Sequence, residues 1–254
     1  MARLDDIELP EGDAETLHLN PASEFQPNVL LPGDPARAMS IATKELTAPR
    51  MFNHRRGLWG YSGVTPDDVG FLIQATGMGG PSAAIVTEEV CDLGAEVLVR
   101  VGTAGAIAPS VKLGDLVVGR FAVGDDGTSA ALGVDERIAG DEGLADALVA
   151  AAQERGLTVH DGAIATVDLF YDPDGDARYA RLVEGGALAI EMEAAAIYAV
   201  GTRRGVPACC LVAVTDELWD DGERKRLSHD EIVELGEVLG AVGVAAVSAF
   251  RATA

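Results

Sequence analysis

Short apolar runs that break at glycine and are followed by helically spaced segments set the rhythm of the chain. In NVLLPGDPARAMSIATKEL the apolar run breaks at Pro32-Gly33, after which Met39, Ile41 and Leu46 recur roughly at helical spacing; this predicts strand, turn and helix. The order returns in VGFLIQATGMGG followed by PSAAIVTEEVCDLG, where Pro81 suits an early helical position and Gly94 a helix stop. EVLVRVGTAGAI predicts a buried strand ending in glycines, and LGDLVVGRFAV another strand. GDDGTSAALGVDERIAGDEG predicts a long loop. Leu144 to Arg155 predicts a helix, and AIATVDLFY a strand running into the turn DPDG. Residues 192–204 predict a helix ended by Gly205, ACCLVAV a strand, and His229 to Ala249 a long final helix. Residues 1–25 are polar, with 1–16 expected to be irregular and a short segment around Leu17–Leu19.

Strands alternating with helices imply an α/β protein whose sheet is covered on both faces. With no linker, repeat or low-complexity segment, residues 1–254 are expected to form one domain. Ligands in such sheets collect at the carboxyl ends of strands. Gly33-Asp34-Pro35, Gly77 to Gly80, Gly102 to Gly105 and Thr215-Asp216 all fall at such ends and are expected to converge on one pocket.

Charge narrows the classes of partner. The chain has 41 acidic and 19 basic residues, a formal charge of −22, with 48% hydrophobic residues, which describes a folded protein and not an acidic tail. Nucleic acid and anionic membrane both require a basic surface, so neither is an expected partner. Lys44, Lys112 and Lys225 are the only lysines, and the acid-rich, arginine-biased composition resembles that of halophilic proteins, for which stability rising with salt is the expectation. The opening MARLDDIELPEGD carries five carboxylates and no apolar run, and no stretch is expected to span a membrane, so a cytoplasmic location is expected. Cys209 and Cys210 lie in one apolar run, where neighbours point to opposite faces; buried reduced thiols are expected. The four histidines show no HxxxH or HExxH spacing, and CxxC, GxSxG and GxxxxGK[ST] are absent, which argues against a zinc centre, a serine hydrolase of that class and a P-loop enzyme.

In so acidic a chain, arginines beside glycine turns are informative. Arg37, Arg56 and Arg100 qualify, and Arg37 also opens a helix whose free N–H groups favour an anion; a small oxyanion fits the set, though surface or strand ion pairs would account equally for Arg37 and Arg100. Glu191 and Glu193 open an alanine-rich segment and point to different sides, so one can face a pocket and accept from two adjacent hydroxyls while the other caps the helix. Asp216 follows an apolar strand, as either an acid at the sheet end or a simple turn residue. Phe170 and Tyr171 either stack on a planar base or cap the core.

In their order, LPGDPARA, GMGGPSAA, VRVGTAGAI, DLFYDPDG, EMEAAAIY and VAVTDEL resemble the nucleoside phosphorylase family of hexameric purine nucleoside phosphorylases and uridine phosphorylases, from about Leu17 to the final helix. The resemblance implies a three-layer α/β/α sandwich around a central mixed β-sheet, phosphorolysis of a nucleoside to free base and pentose 1-phosphate, no cofactor, inorganic phosphate as co-substrate, and a homo-oligomer built as a trimer of dimers. It implies phosphate binding by Gly33, Arg37, Arg100 and Thr103, with Arg56 (or its neighbour Arg55) reaching a neighbouring subunit's site. Ribose falls to Met192 and Glu193, and to His18 across the dimer; the base falls to Phe170, with Arg178 and Glu191 as further candidates. Asp216 would protonate purine N7, paired with Arg224 or Arg226. VTD and FYDPDG are purine-like, whereas HLN, GTAGAI and Arg178-Tyr179 are uridine-like; the uracil-binding glutamine is absent, with Asp176 near its place. Purine nucleosides are therefore expected ahead of uridine, a nucleosidase or a non-catalytic nucleoside-binding protein.

Overall fold

The computed structural model describes residues 16–219 and 225–253. The predicted strand-turn-helix opening forms as β1 (Asn28–Leu31) and α1 (Pro35–Glu45). Asp34 caps α1 by accepting from Ala36 N at 2.8 Å, so a carboxylate already occupies part of the helix end expected to face an anion. Met39 is 45% exposed; the buried stripe of α1 is Ala38, Ile41 and Ala42.

A hairpin of a mostly exposed β2 (Thr47–Asn53) and a part-buried β3 (Gly60–Val64) leads into β4 (Gly70–Gln74) and α2 (Gly80–Asp92). Then follow β5 (Val97–Ala106) and β6 (Leu116–Asp125). The expected long loop instead holds α3 (Gly127–Ala131), capped by Asp126 on Ser129, and β7 (Arg137–Ala139) on the edge of β6. The rest comprises α4 (Glu142–Glu154), β8 (Val159–Val167), α5 (Gly175–Glu184), β9 (Ala187–Glu191), α6 (Ala194–Arg204), β10 (Ala208–Glu217), β11 (Lys225–Arg226) and α7 (His229–Thr253). Gly205, left-handed with φ 68°, ends α6.

All eleven strands join one mixed sheet in the order β11-β10-β6-β8-β9-β5-β1-β4-β3-β2, with β7 beside β6. Because β10 also pairs with β5, strands β5, β10, β6, β8 and β9 close into a ring, and β1, β4, β3 and β2 continue as an open wing. One edge of β5 changes neighbour along its length: it pairs with β1 as far as Leu31↔Arg100 and with β9 from Ile190↔Gly105. Between Arg100 and Gly105 that edge is open.

Helices α1, α4 and α7 cover one face of the sheet and α2 and α6 the other, giving the expected layers. Cys209 packs with the first face and Cys210 with the second, as alternation along β10 requires. Contrary to the sequence expectation, α7 is long and apolar enough to cross a membrane, with a mean hydropathy of 1.7 over its best window. Its buried side, however, packs on the protein: a Cβ at Gly240 would meet Ile41 of α1 at 2.7 Å.

Candidate active site

The open stretch of β5 is where the singled-out residues gather. Gly77 N donates to Gly33 O at 3.1 Å, and Thr76 N to Pro32 O at 2.8 Å, which fastens the turns after β1 and β4 side by side. Gly79 N donates to Glu193 Oε1 at 2.6 Å, drawing in the segment after β9. Arg100 lies beneath. It is 3% exposed, with Nε donating to Glu191 Oε2 at 2.6 Å and Nη2 paired to Glu193 Oε2 at 2.5 Å.

Gly102 to Gly105, expected as a turn, continues β5. Clearance explains the first glycine: residues 100 and 102 share a face, and a Cβ at 102 would meet Arg100 Nη2 at 2.7 Å. Nη1 is buried with no hydrogen-bond partner, and a Cβ placed on Gly33 would lie 4.0 Å from it. A buried donor left unpaired costs free energy unless something else accepts from it.

Arg37 reaches the region from α1, its side chain lying against Gly236 of α7. Thr103, an odd step from Arg100, is half-buried and emerges on the α1 face. Arg100 thus approaches the open edge from one side of the sheet, and Arg37 and Thr103 from the other. Burial lowers the pKa of Arg37, with Asp34 opposing and Arg100 adding to the shift. Burial pushes the same way on Arg100, but the Glu193 and Glu191 carboxylates outweigh it and hold that guanidinium charged. Burial raises the Glu193 carboxyl above its usual range against the pull of Arg100.

Glu191, a base-binding candidate from the resemblance, is not offered to a ligand: it is 4% exposed, and both oxygens accept from Arg100, Thr166 and the backbone N–H groups of Glu193 and Ala194. Arg178, the other such candidate, donates to Asp172 at 2.5 Å and Asp125 at 2.6 Å instead of facing the site. Phe170 and Tyr171 are not core: they are 57% and 90% exposed and meet edge to face just after β8. Met192 separates Glu191 from Glu193 where β9 passes into α6.

Asp216 is part of β10, opposite Gly105 of β5 after a bulge. Thr215 Oγ1 donates to its Oδ2 at 2.8 Å, and Arg226, its cross-strand neighbour on β11, stands 3.4 Å from its Oδ1. Arg224 lies outside the described residues. Arg56 sits on an exposed turn with φ 58° and, among the described residues, neither it nor Arg55 forms an ion pair. His18 is held through Nδ1 and its backbone N by Glu89 of α2, at 2.6 and 2.9 Å. Neither Glu89 nor Thr166 stood out in the sequence, since an acid in a helix and a threonine in a strand carry no signature alone.

Among the described residues no group of three or more His, Cys, Asp or Glu is gathered as for a metal ion. A separate cleft of about 340 Å³, lined by residues including Gly140, Asp141, Tyr198 and Pro207, opens at the start of β10, away from all these candidates.

The DeoD-type purine nucleoside phosphorylase of Proteus mirabilis (strain HI4320) is 34% identical over 228 residues, 87% of this chain and 95% of that protein. The DeoD-type purine nucleoside phosphorylase of Alkaliphilus metalliredigens (strain QYMF) is 36% identical over 203 residues, 79% and 86% of the two chains. The crystal structure of uridine phosphorylase from Vibrio fischeri ES114 superposes with a TM-score of 0.75 at 25% identity, covering 89% of this chain and 90% of that one. Residues 27–250 match the model of the Phosphorylase superfamily, and with these relatives the chain belongs to its nucleoside phosphorylase family.

Proposed function

We propose that the chain cleaves purine nucleosides with inorganic phosphate, giving free base and pentose 1-phosphate. The observation that carries this is the charged, buried Arg100 with Nη1 unpartnered beneath the Gly33 turn and Nη2 on Glu193. Phosphate is held between Arg100 on one side and Arg37, Thr103 and the Gly33 turn on the other, and Glu193 receives the ribose hydroxyls beside it. As the glycosidic bond lengthens the sugar gains oxocarbenium character; the arginines fix the incoming anion on the face opposite the base. Asp216, with Arg226 alongside, supplies the proton that lets the base depart.

The distribution of charge supports purine over uridine. Arg178, the uridine-like candidate, is committed to two aspartates, while Asp216 stands at a strand end beside a cation. The proximity of Arg37 and Arg100 supports phosphorolysis over hydrolysis, since water needs no paired guanidinium groups.

We also propose that the site is completed in a homo-oligomer assembled from dimers. Exposed Leu17, Met51, Trp59 and Met78 lie beside the segments carrying His18, Arg56 and the second glycine turn, which places apolar surface where a partner subunit would donate its histidine and arginine. The test is base release from inosine, guanosine, adenosine and uridine in high salt, with and without phosphate. Phosphate-dependent release from purines ahead of uridine is expected. Equal release without phosphate would overturn the reaction, and preference for uridine would overturn the specificity.

A further inference from the structure

We propose that Glu191, held in turn by Thr166, is a positioning residue for the phosphate-binding arginine; this rests on the phosphorolytic reading above. Four donors, making five hydrogen bonds, converge on the Glu191 carboxylate in a buried setting. Oε1 accepts from Thr166 Oγ1 at 2.5 Å and Ala194 N at 3.0 Å, while Oε2 accepts from Arg100 Nε at 2.6 Å, Glu193 N at 2.9 Å and Ala194 N at 2.9 Å. Thr166 is itself fixed, accepting from Ala195 N at 2.9 Å. Glu191 therefore ties the start of α6, the end of β8 and the guanidinium on β5 into one unit.

The consequence lies in which arginine nitrogen is left over. Glu191 takes Nε and Glu193 takes Nη2, so the plane of the guanidinium is set by two carboxylates and Nη1 is the atom without a partner. A planar fork held at two corners presents its third in one direction. Without Glu191 the guanidinium can rotate about the Glu193 contact, and the order imposed on Nη1 is lost. Glu191 touches neither nucleoside nor anion in this scheme; it acts through Arg100.

Charge and position act in opposite senses here, which makes the idea decidable. Removing a carboxylate near an anion site favours the anion by Coulomb's law, whereas releasing the arginine disfavours it. Wild type, Glu191→Gln and Thr166→Val are compared for the phosphate KM, the nucleoside KM, kcat and the rise in melting temperature given by phosphate. Glu191→Gln is expected to raise the phosphate KM by about tenfold or more, as for loss of a charged hydrogen bond, with nucleoside KM little changed. Thr166→Val keeps every charge and nearly the same volume, and is expected to change the phosphate KM in the same direction by a smaller factor. A phosphate KM that is unchanged or lowered in Glu191→Gln overturns the proposal. Should that variant not fold, an unchanged phosphate KM in Thr166→Val overturns it. Wild-type base release that ignores phosphate is a different failure, removing the phosphorolytic reading and this proposal with it.

Discussion

Replacing Gly102 by alanine is the sharpest perturbation of the anion site, because it adds one methyl group and removes nothing. The backbone at 102 is not in the left-handed region, so the effect comes from the side chain alone. The new Cβ would lie 2.7 Å from Arg100 Nη2, 2.8 Å from Cζ and 2.9 Å from Nη1. Ordinary carbon contacts begin near 3.5 Å, so the guanidinium must retreat by about 0.7 Å. It cannot do so while keeping both carboxylate contacts, at 2.6 and 2.5 Å. A displacement of about 1 Å in a positioning group costs up to about 10²-fold in rate. Gly102→Ala is therefore expected to lower kcat/KM for phosphate by about one to two orders of magnitude, while the KM for the nucleoside changes little. Initial rates of base release across a phosphate series read the effect, with thermal melting to confirm that the variant is folded. A folded variant with wild-type phosphate dependence would refute the placement of the anion beside Arg100.

Asp216→Asn keeps the shape of the side chain and removes the proton, so purine cleavage is expected to slow by about 10²-fold or more; wild-type turnover in that variant would exclude Asp216 as the acid. Arg100→Met leaves Glu191 and Glu193 buried without their cation, at a cost of about 3–5 kcal/mol. Since burial raises the Glu193 carboxyl and Arg100 is the largest influence opposing it, the variant's folded state holds protons that its unfolded state releases above the ordinary carboxylate range. Its melting deficit against wild type should therefore be small near pH 4.5 and widen towards pH 7, and a constant deficit would contradict this. Burial pushes the Cys209 thiol up to about 12 from an ordinary value of 9.0. The unfolded chain loses that proton first as pH rises, so stability should fall above about pH 9, and Cys209 should resist thiol reagents at pH 8 until the protein unfolds. A melting temperature that does not rise between low and molar salt would contradict the expectation drawn from the net charge of −22.

The parts of this molecule legible in the sequence are those in which one local signal suffices. β1, β5 and β10 are continuous apolar runs, and the residues at their ends are chemically conspicuous. Segments that depend on distant partners were not legible. β2 is mostly exposed and irregularly paired, and β9 is not predicted from the sequence, because the break at Glu191–Glu193 before the alanine-rich helix carries no Gly or Pro. Gly102 signals a turn in one dimension and clearance for an arginine in three. The Arg100–Glu191 and Thr166–Glu191 contacts join residues 91 and 25 positions apart, a relation created only by strand pairing. Arg178, singled out with Tyr179, is engaged by Asp172 six residues before it and by Asp125 at the end of β6.

The change of neighbour along β5 has an implication for assembly of the molecule. The gap between the ends of β1 and β9 exists only once a strand from the last third of the chain has docked antiparallel on one from the middle. A fragment without β9 lacks the concavity proposed to hold the anion, so on that proposal phosphate binds the finished ring and not its precursors. Inorganic phosphate would then act as a selective stabiliser of the mature protein, protecting it in proportion to RT ln(1 + [phosphate]/Kd), and cells starved of phosphate would lose that protection along with the reactant.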